Sequence, residues 1–420
     1  MSTGAGLALK GIGNMTKLID LNPQLCEMSC KDLDLTQRNL ILAFLPYLGV
    51  PLTGTDVSQQ AGELVETSLE ALQGPLGPWE LAWGPGVLQV LPGAVPANTM
   101  FVARQRETRE LFISIAGTNP FSAYAWLAED FDVDESRPWG YGDAPAGAAT
   151  SKATLTGLRA LQGMVPPPEM PGGNVTLAEF LAEQFDNETG PIDITVSGHS
   201  LGGALSPTLA LWLLDTQQEW DPESLATISI YAYAGPSPGN KEFAKYIDQR
   251  FGERLKRIFN PLDVVTHAWK VSDLAELKAL YTPDISRDAL WDRAVDFLIA
   301  TTNGIQYRQI DPGAIALDGE VKQELVFRWT LPLVNLVGQV LYQHTLAYFE
   351  LLGIAYPEKQ SALGRHLAHQ SDDIASEILK RTGVWWPLSK ALGVGLRVAA
   401  EVYSRTPLLP SPVPETGSGK

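Results

Sequence analysis

Ser200 lies in the segment GHSLG at 198–202, between a β-branched run and an apolar run of helical length. A strand, a glycine-flanked serine and a helix in this order are typical of a nucleophile elbow, whose sharp turn presents the serine hydroxyl. Gly198 and Gly202 leave room for the turn, and Gly203 lets the helix approach the strand. The motif predicts that Ser200 is the nucleophile of an acyl-transfer reaction.

The same five-residue pattern recurs as GPSPG at 235–239. The residue after a nucleophile must donate its backbone N–H to the oxyanion, and Pro238 has no N–H. No helical run follows this second copy at once. We therefore expect Ser237 to have no catalytic role.

A serine nucleophile needs a histidine to take its proton and a carboxylate to orient that histidine. Asp263 follows the strand-like run LKRIFN, and His344 stands in a predicted loop before an amphipathic helix. His267 is too close to Asp263 in the chain for a strand and a helix to lie between them and bring its side chain to the elbow. The order Ser200, Asp263, His344 predicts a catalytic triad; the alternative for either partner is a surface loop residue or a helix cap.

An oxyanion hole requires two donors. Leu201 supplies one N–H by its position after the nucleophile, and the loop Gly117-Thr118 after an earlier predicted strand is the candidate for the other. The alternative for Thr118 is an ordinary strand-ending turn. His199 adjoins the nucleophile, and we expect it to pack beneath the elbow.

Strand and helix patterns alternate along the chain and predict an α/β fold. The local signals predict a hairpin, a capping box that opens a helix and a last strand, at Thr99–Arg104 with Glu110–Ala116, at Thr176 with Glu179 and at Glu324–Thr330, respectively. The fold class we expect is an α/β-hydrolase with a mostly parallel central sheet flanked by helices, a helical insertion or cap, and N- and C-terminal helical extensions. The predicted units are a helical extension with the first strands at 1–94, a catalytic domain at 95–355 that contains a helical insertion at 270–321, helices at 356–406 and a disordered tail at 407–420.

Composition narrows the functional classes. Forty-eight acidic against thirty-one basic residues give a net charge of -17, which disfavours nucleic acid and anionic membranes as partners. We interpret Cys26 and Cys30 as two small buried side chains. With no signal peptide and no apolar run of membrane-spanning length, the sequence predicts a cytoplasmic protein, with secretion as the alternative.

Five segments in a fixed order resemble the class 3 lipases, the fungal-type triacylglycerol lipases. They are IAGTNP at 115–120, VSGHSLGGA at 196–204, AYAGPSPGN at 232–240, FNPLDVV at 259–265 and YQHTLAY at 342–348. The resemblance covers roughly residues 95–355. It implies the same triad, with Thr118 and Leu201 as oxyanion residues.

The resemblance also implies a mobile lid after the first oxyanion loop, at about 119–139. Within it Trp126, Phe131 and Trp139 are the candidate lid or substrate-binding residues. The chain departs from the family pattern at Ala116, where an arginine is usual, and at Val265, where a proline is usual.

The sequence thus predicts hydrolysis of acylglycerols or other hydrophobic esters through an acyl-enzyme, with no metal and no cofactor. The partner is the hydrophobic ester or lipid itself, through transient contact with a lipid interface, and the oligomeric state stays open. The alternatives are a short-chain carboxylesterase or polyester hydrolase, and a non-catalytic lipid-binding scaffold that keeps the fold.

Overall fold

The computed structural model describes residues 33–49, 54–89, 96–116, 133–186, 188, 190–326 and 332–354. In chain order, the strands within these residues are β1 (Trp79–Gln89), β2 (Pro96–Gln105), β3 (Leu111–Ile115), β4 (Ser136–Pro138), β5 (Ala149–Ser151), β6 (Ile192–His199), β7 (Ala226–Tyr233), β8 (Gly239–Asn240), β9 (Leu255–Phe259), β10 (Tyr307–Arg308) and β11 (Ile315–Ala316). Seven of them form a central sheet in the order β1-β2-β3-β6-β7-β9-β11, and the other four form a small sheet in the order β10-β8-β5-β4.

The central sheet is antiparallel at one side and parallel elsewhere. β1, β2 and β3 pair antiparallel, which confirms the predicted hairpin, and the strands from β3 to β11 are parallel neighbours. The register pairs Gly198 with Ile115 and His199 with Tyr233. The carboxyl ends of the central parallel strands therefore meet at one edge, where α/β sheets place their functional residues.

The helices surround this sheet. They are α1 (Leu35–Phe44), α2 (Val57–Ala71), α3 (Gln73–Leu76), α4 (Lys152–Gln162), α5 (Leu177–Phe185), α6 (Leu201–Asp215), α7 (Gln217–Trp220), α8 (Lys241–Phe251), α9 (Val271–Glu276), α10 (Ala289–Thr302), α11 (Pro332–His344) and α12 (Leu346–Leu351). Capping boxes fix the starts of α1, at Asp34 with Gln37, and α5, at Thr176 with Glu179. The second of these confirms the helix start predicted from the sequence.

Alternate residues of the central strands enter two cores, one on each face of the sheet. On β3, Ile113 and its odd-numbered neighbours pack with α4, α5, α6 and α8, whereas Phe112 packs with α1 and α12. A strand points successive side chains to opposite faces, so a strand apolar at every position is buried on both sides. This is the layered arrangement expected of an α/β-hydrolase.

The region 270–321 differs from its prediction as a wholly helical insertion. It contains α9 and α10, but also β10 and β11, and β11 extends the central sheet by pairing parallel with β9. Each of these strands has only two residues, too few to show a period-2 pattern in the sequence. The strand predicted near Glu324 is wrong where the structure describes it, because Gln323–Leu325 is a 3-10 turn.

Several predictions fall outside the described residues. These are Cys26 and Cys30, Thr118, the lid residues Trp126 and Phe131, and all of 355–420. The domain boundaries accordingly stay predictions. Among the helices of the described residues, none is both long enough and apolar enough to span a membrane.

Candidate active site

Ser200 stands at the sharp junction between β6 and α6. Its backbone is in a strained left-handed region, at φ 62° and ψ -123°. The turn depends on bare neighbours: a Cβ on Gly198 would lie 2.5 Å from the backbone of Gly202, and one on Gly203 would lie 2.3 Å from the carbonyl oxygen of Tyr233. Only glycine permits this approach of strand and helix.

Asp263 lies just beyond the carboxyl end of β9, in the predicted loop. It is fully buried and accepts hydrogen bonds on both carboxylate oxygens. Oδ1 accepts from the backbone N–H of Val265 at 2.9 Å, and Oδ2 accepts from the hydroxyl of Tyr348 at 2.9 Å. These two hydrogen bonds fix the orientation of the buried carboxylate.

His344 joins these two groups. Its Nδ1 lies 2.9 Å from Oδ2 of Asp263, and its Nε2 lies 2.8 Å from Oγ of Ser200. The Asp263 contact places the ring proton on Nδ1, so neutral Nε2 can accept the serine proton. The three residues predicted from the sequence therefore form one hydrogen-bonded line, in which Ser200 and His344 are each only 1% exposed.

The prediction that His344 stands in a loop is wrong. It is the last residue of α11, and Thr345 interrupts the helical conformation before α12 begins. The apolar pattern predicts the helix after His344, α12, but not the helix α11 that ends at His344. Only one residue, Thr345, separates the two helices. His344 therefore lies at a helix end, within hydrogen-bond distance of Ser200, which follows β6.

Leu201 is the first residue of α6, and the N–H groups of a first helical turn have no acceptor within the helix. Its N–H is thus free of the helix ladder beside Ser200. The other predicted oxyanion loop, Gly117-Thr118, lies outside the described residues. The residue before it, Ala116, donates its N–H to the carbonyl oxygen of Thr99. Thr118 stays a prediction.

Trp139 is not a lid residue. Its indole is buried in the main core against Phe243, and its Nε1 donates to Asp215 at 2.9 Å. Asp215 ends α6, and Ser200 precedes the other end of that 15-residue helix. At 1.5 Å per residue the two ends are about 20 Å apart, which contradicts the sequence prediction.

His267 and Ser237 lie away from this line, as expected. Nε2 of His267 is 2.8 Å from the carbonyl oxygen of Pro261. The hydroxyl of Ser237 is buried, and among the described residues it has no hydrogen-bond partner.

Sequence reasoning missed the groups that support Asp263. The Tyr348 hydroxyl donates to Asp263 and accepts from the backbone N–H of Asn260 at 3.0 Å. The Asn260 side chain in turn donates to Oε1 of Gln343, the residue before the base, at 2.7 Å. Burial raises the pKa of Tyr348 and nearby Asp263 raises it further, so the hydroxyl stays a donor. No local pattern marks these contacts, because they join residues 83 to 88 positions apart.

The 270–321 region braces the loop that carries Asp263. The Tyr281 hydroxyl donates to the carbonyl oxygen of Leu262 at 2.8 Å, and Nε2 of Gln309 donates to that of Thr266 at 2.8 Å. Arg257 of β9 also donates to Thr266, at 3.1 Å. The 270–321 region, which the sequence predicts as an insertion or cap, therefore holds the loop that carries Asp263 in place.

Ser200 stands in a strained turn between strand and helix, at the carboxyl edge of a mostly parallel sheet, and Asp263 and His344 follow it in the chain. This is the arrangement of the α/β-hydrolase fold. Comparison with known proteins then identifies the family. The class 3 lipase family model matches residues 174–272. The crystal structure of M37 lipase is 33% identical, with a TM-score of 0.68 over 76% of this chain and 94% of that one.

This chain belongs to the class 3 lipase family. Among curated proteins it is similar to two chloroplastic proteins of Arabidopsis thaliana, phospholipase A(1) DAD1, 34% identical over 86 residues, and phospholipase A1-Igamma1, 32% identical over 93 residues. The matches cover 20% and 22% of this chain, and 17% and 18% of those relatives. The similar segment thus spans less than a fifth of the length of either plant protein.

Proposed function

We propose that this protein hydrolyses hydrophobic carboxylic esters, with Ser200 as nucleophile, His344 as general base and acid, and Asp263 as the group that orients the base. The observation that carries the proposal is the hydrogen-bonded line from Ser200 Oγ through His344 to Asp263, with contacts of 2.8 Å and 2.9 Å. These are productive distances for proton transfer.

In the first half-reaction, Ser200 Oγ bonds to the ester carbonyl carbon while its proton passes to Nε2 of His344. The carbonyl oxygen takes the negative charge, which the N–H of Leu201 stabilises, together with a second donor for which Thr118 is the candidate. The tetrahedral intermediate then breaks its bond to the alcohol oxygen. That oxygen takes the proton from His344, and the acyl group remains on Ser200.

In the second half-reaction, water repeats the sequence. His344 takes a proton from the water as its oxygen bonds to the acyl carbon, and returns that proton to Ser200 as the acid leaves. Asp263 keeps its charge throughout and stabilises the imidazolium form of His344. No metal enters these steps.

Acylglycerols are the substrate class that the family supports, and the phospholipase A1 relatives make a phospholipid acyl ester the second class to test. A short-chain carboxylesterase or polyester hydrolase would share the same chemistry. A panel of emulsified triacylglycerol, phosphatidylcholine vesicles, p-nitrophenyl butyrate and a polyester film separates these substrates by rate.

The test of the mechanism is labelling with a fluorophosphonate probe, followed by peptide mapping. We expect stoichiometric label on Ser200 in the wild type and none in Ser200→Ala. His267→Ala serves as the control and should label like the wild type. A wild-type protein that is folded yet unlabelled would support the non-catalytic scaffold instead.

A further inference from the structure

His199, beside the nucleophile, contacts the backbone of the catalytic base. Its Nε2 lies 2.6 Å from the carbonyl oxygen of His344, and the two rings lie 4.7 Å apart between centroids. His199 is fully buried. The mechanism above uses His199 in no chemical step, so this contact calls for its own explanation.

The carbonyl of His344 needs such a partner. In a continuing helix, the N–H of Tyr348 would donate to it. Because α11 ends at His344, that N–H donates instead to the carbonyl oxygen of Thr345 at 3.3 Å. A helix-end carbonyl buried without a donor is costly, and the His199 ring supplies the donor.

The contact also fixes the tautomer of His199. Two lone pairs do not approach to 2.6 Å, so Nε2 carries the ring proton and Nδ1 is an acceptor. Burial lowers the pKa of His199 well below its usual range, and His344 lowers it further, which is consistent with a neutral ring.

A residue from the N-terminal segment completes the arrangement. The hydroxyl of Tyr47, in the 3-10 turn Leu45–Gly49, donates to the carbonyl oxygen of His199 at 3.0 Å and also lies 3.1 Å from Nδ1 of the same residue. With Nε2 protonated, Nδ1 and the carbonyl oxygen are both acceptors that can share the hydroxyl proton, and this sharing favours the Nε2–H tautomer. The ring of Phe44, 4.5 Å from the His199 ring, limits its rotation.

We propose that His199 is a positioning residue, whose Nε2–H holds the backbone of the base His344 in line with Ser200, and that Tyr47 selects the tautomer that makes this possible. The N-terminal segment thereby reaches the catalytic line through His199. This inference rests on the proposed function, because it assigns a role relative to the proposed base.

The test replaces His199 by a residue without a donor and by one that restores it. We expect His199→Leu to lower kcat per titrated active site about 10–100-fold with KM nearly unchanged, since a small displacement of a catalytic group has effects of this size. His199→Gln, whose side-chain amide can donate at the same place, should return kcat to within about threefold of the wild type.

Tyr47→Phe provides a second route that keeps the ring packing and so keeps the fold. It should lower kcat per active site about 2–5-fold, as expected for one neutral hydrogen bond. In the His199→Gln background the same change should alter kcat less than about twofold, because an amide has no tautomer to select.

Active sites are counted by titration with p-nitrophenyl organophosphate, and the melting temperature is measured for each variant. Equal kcat in His199→Leu and wild type would overturn the inference, and so would equal losses in His199→Leu and His199→Gln. If His199→Leu does not fold, an unchanged kcat in Tyr47→Phe overturns it. A wild type that does not react with the organophosphate would instead contradict the proposed function.

Discussion

The pattern Gly-x-Ser-x-Gly stands twice in this protein, at 198–202 and at 235–239. In the first copy Ser200 takes a strained conformation, begins a helix of 15 residues and contacts a histidine at 2.8 Å. In the second copy Ser237 precedes Pro238, and its buried hydroxyl has no hydrogen-bond partner among the described residues. The same pattern thus gives one serine hydroxyl paired with a histidine and one that has no hydrogen-bond partner among the described residues.

The two copies contact each other, and this contact gives the glycine of the second copy a structural role. A Cβ on Gly235 would lie 2.6 Å from the carbonyl group of Gly203, at the start of α6. The first glycine of the second copy therefore lets the helix of the first approach β7. The pattern alone therefore specifies close backbone packing, whereas reactivity depends on the partners brought to the hydroxyl.

The sharpest test of this comparison exchanges each serine for alanine. Ser200→Ala should lower kcat for ester hydrolysis by roughly 10⁶, because the nucleophile is lost. Ser237→Ala should leave kcat within about twofold of the wild type. Both are measured on p-nitrophenyl butyrate with circular dichroism as the fold control. A comparable loss in both variants would remove the distinction between the copies.

The next test removes the partner of the base and leaves the elbow intact. Asp263→Asn should lower kcat by roughly 10⁴, because an amide stabilises the wrong tautomer of His344. Asp221→Asn is a matched control: Asp221 is equally buried, and it accepts from the backbone N–H groups of Leu225 and Ala226. Asp221→Asn should lower the free energy of unfolding but keep kcat per titrated active site. A drop in its kcat would show that the loss in Asp263→Asn does not come from a specific role of Asp263.

The contact between the copies is tested by Gly235→Ala. The added methyl would meet the backbone of Gly203, which has no side chain to move, so the free energy of unfolding should fall by more than about 2 kcal/mol. Gly140→Ala is the control, because a Cβ at Gly140 meets nothing within 4 Å. Urea unfolding measures both, and equal stabilities would show that α6 does not depend on Gly235.

A smaller effect is expected from the support of Asp263. Tyr348→Phe removes the 2.9 Å hydrogen bond to the carboxylate and should lower kcat about tenfold, as for a hydrogen bond to a charged group. In the control Tyr307→Phe, a buried hydroxyl that donates to the carbonyl oxygen of Val133 is lost instead. Tyr307→Phe should keep its kcat. If its kcat falls as far as that of Tyr348→Phe, the loss in both variants comes from lower stability and not from the contact with Asp263.

The smallest effect is a pH dependence that only the first copy has, since Pro236 replaces His199 in the second. Burial lowers the pKa of folded His199, whereas in the unfolded chain the ring titrates near about 6.5. Below that pH the unfolded state binds the additional proton, so the wild type loses stability as pH falls, by up to about 1.4 kcal/mol per pH unit from this group.

His199→Gln removes this titration. Its free energy of unfolding should therefore fall less steeply than that of the wild type between pH 6.5 and about 5. Urea unfolding at several pH values gives both curves. Parallel curves would mean that His199 titrates alike in the folded and unfolded states.

Much of the fold follows from local patterns. The hairpin of β2 and β3, the capped start of α5 and the junction of β6 with α6 were predicted because each has a signal within a few residues. Two-residue strands such as β11 have none, because two residues show no period and the strand that β11 pairs with, β9, is distant in the chain. Trp139 was assigned wrongly for a related reason: an aromatic residue has the same sequence signal in a lid and in a core.

Local sequence patterns were enough to select the candidate reactive groups. Ser200, Asp263 and His344 were identified from their neighbours and their order in the chain, since turn chemistry and strand ends are local properties. Tertiary structure alone decided how these groups are held. Tyr348 on Asp263, Tyr281 behind the Asp263 loop and the His199 contact with His344 join residues 19 to 145 positions apart. A hydrogen bond over that separation depends on how the sheet and helices pack, and no pattern of neighbouring residues encodes it.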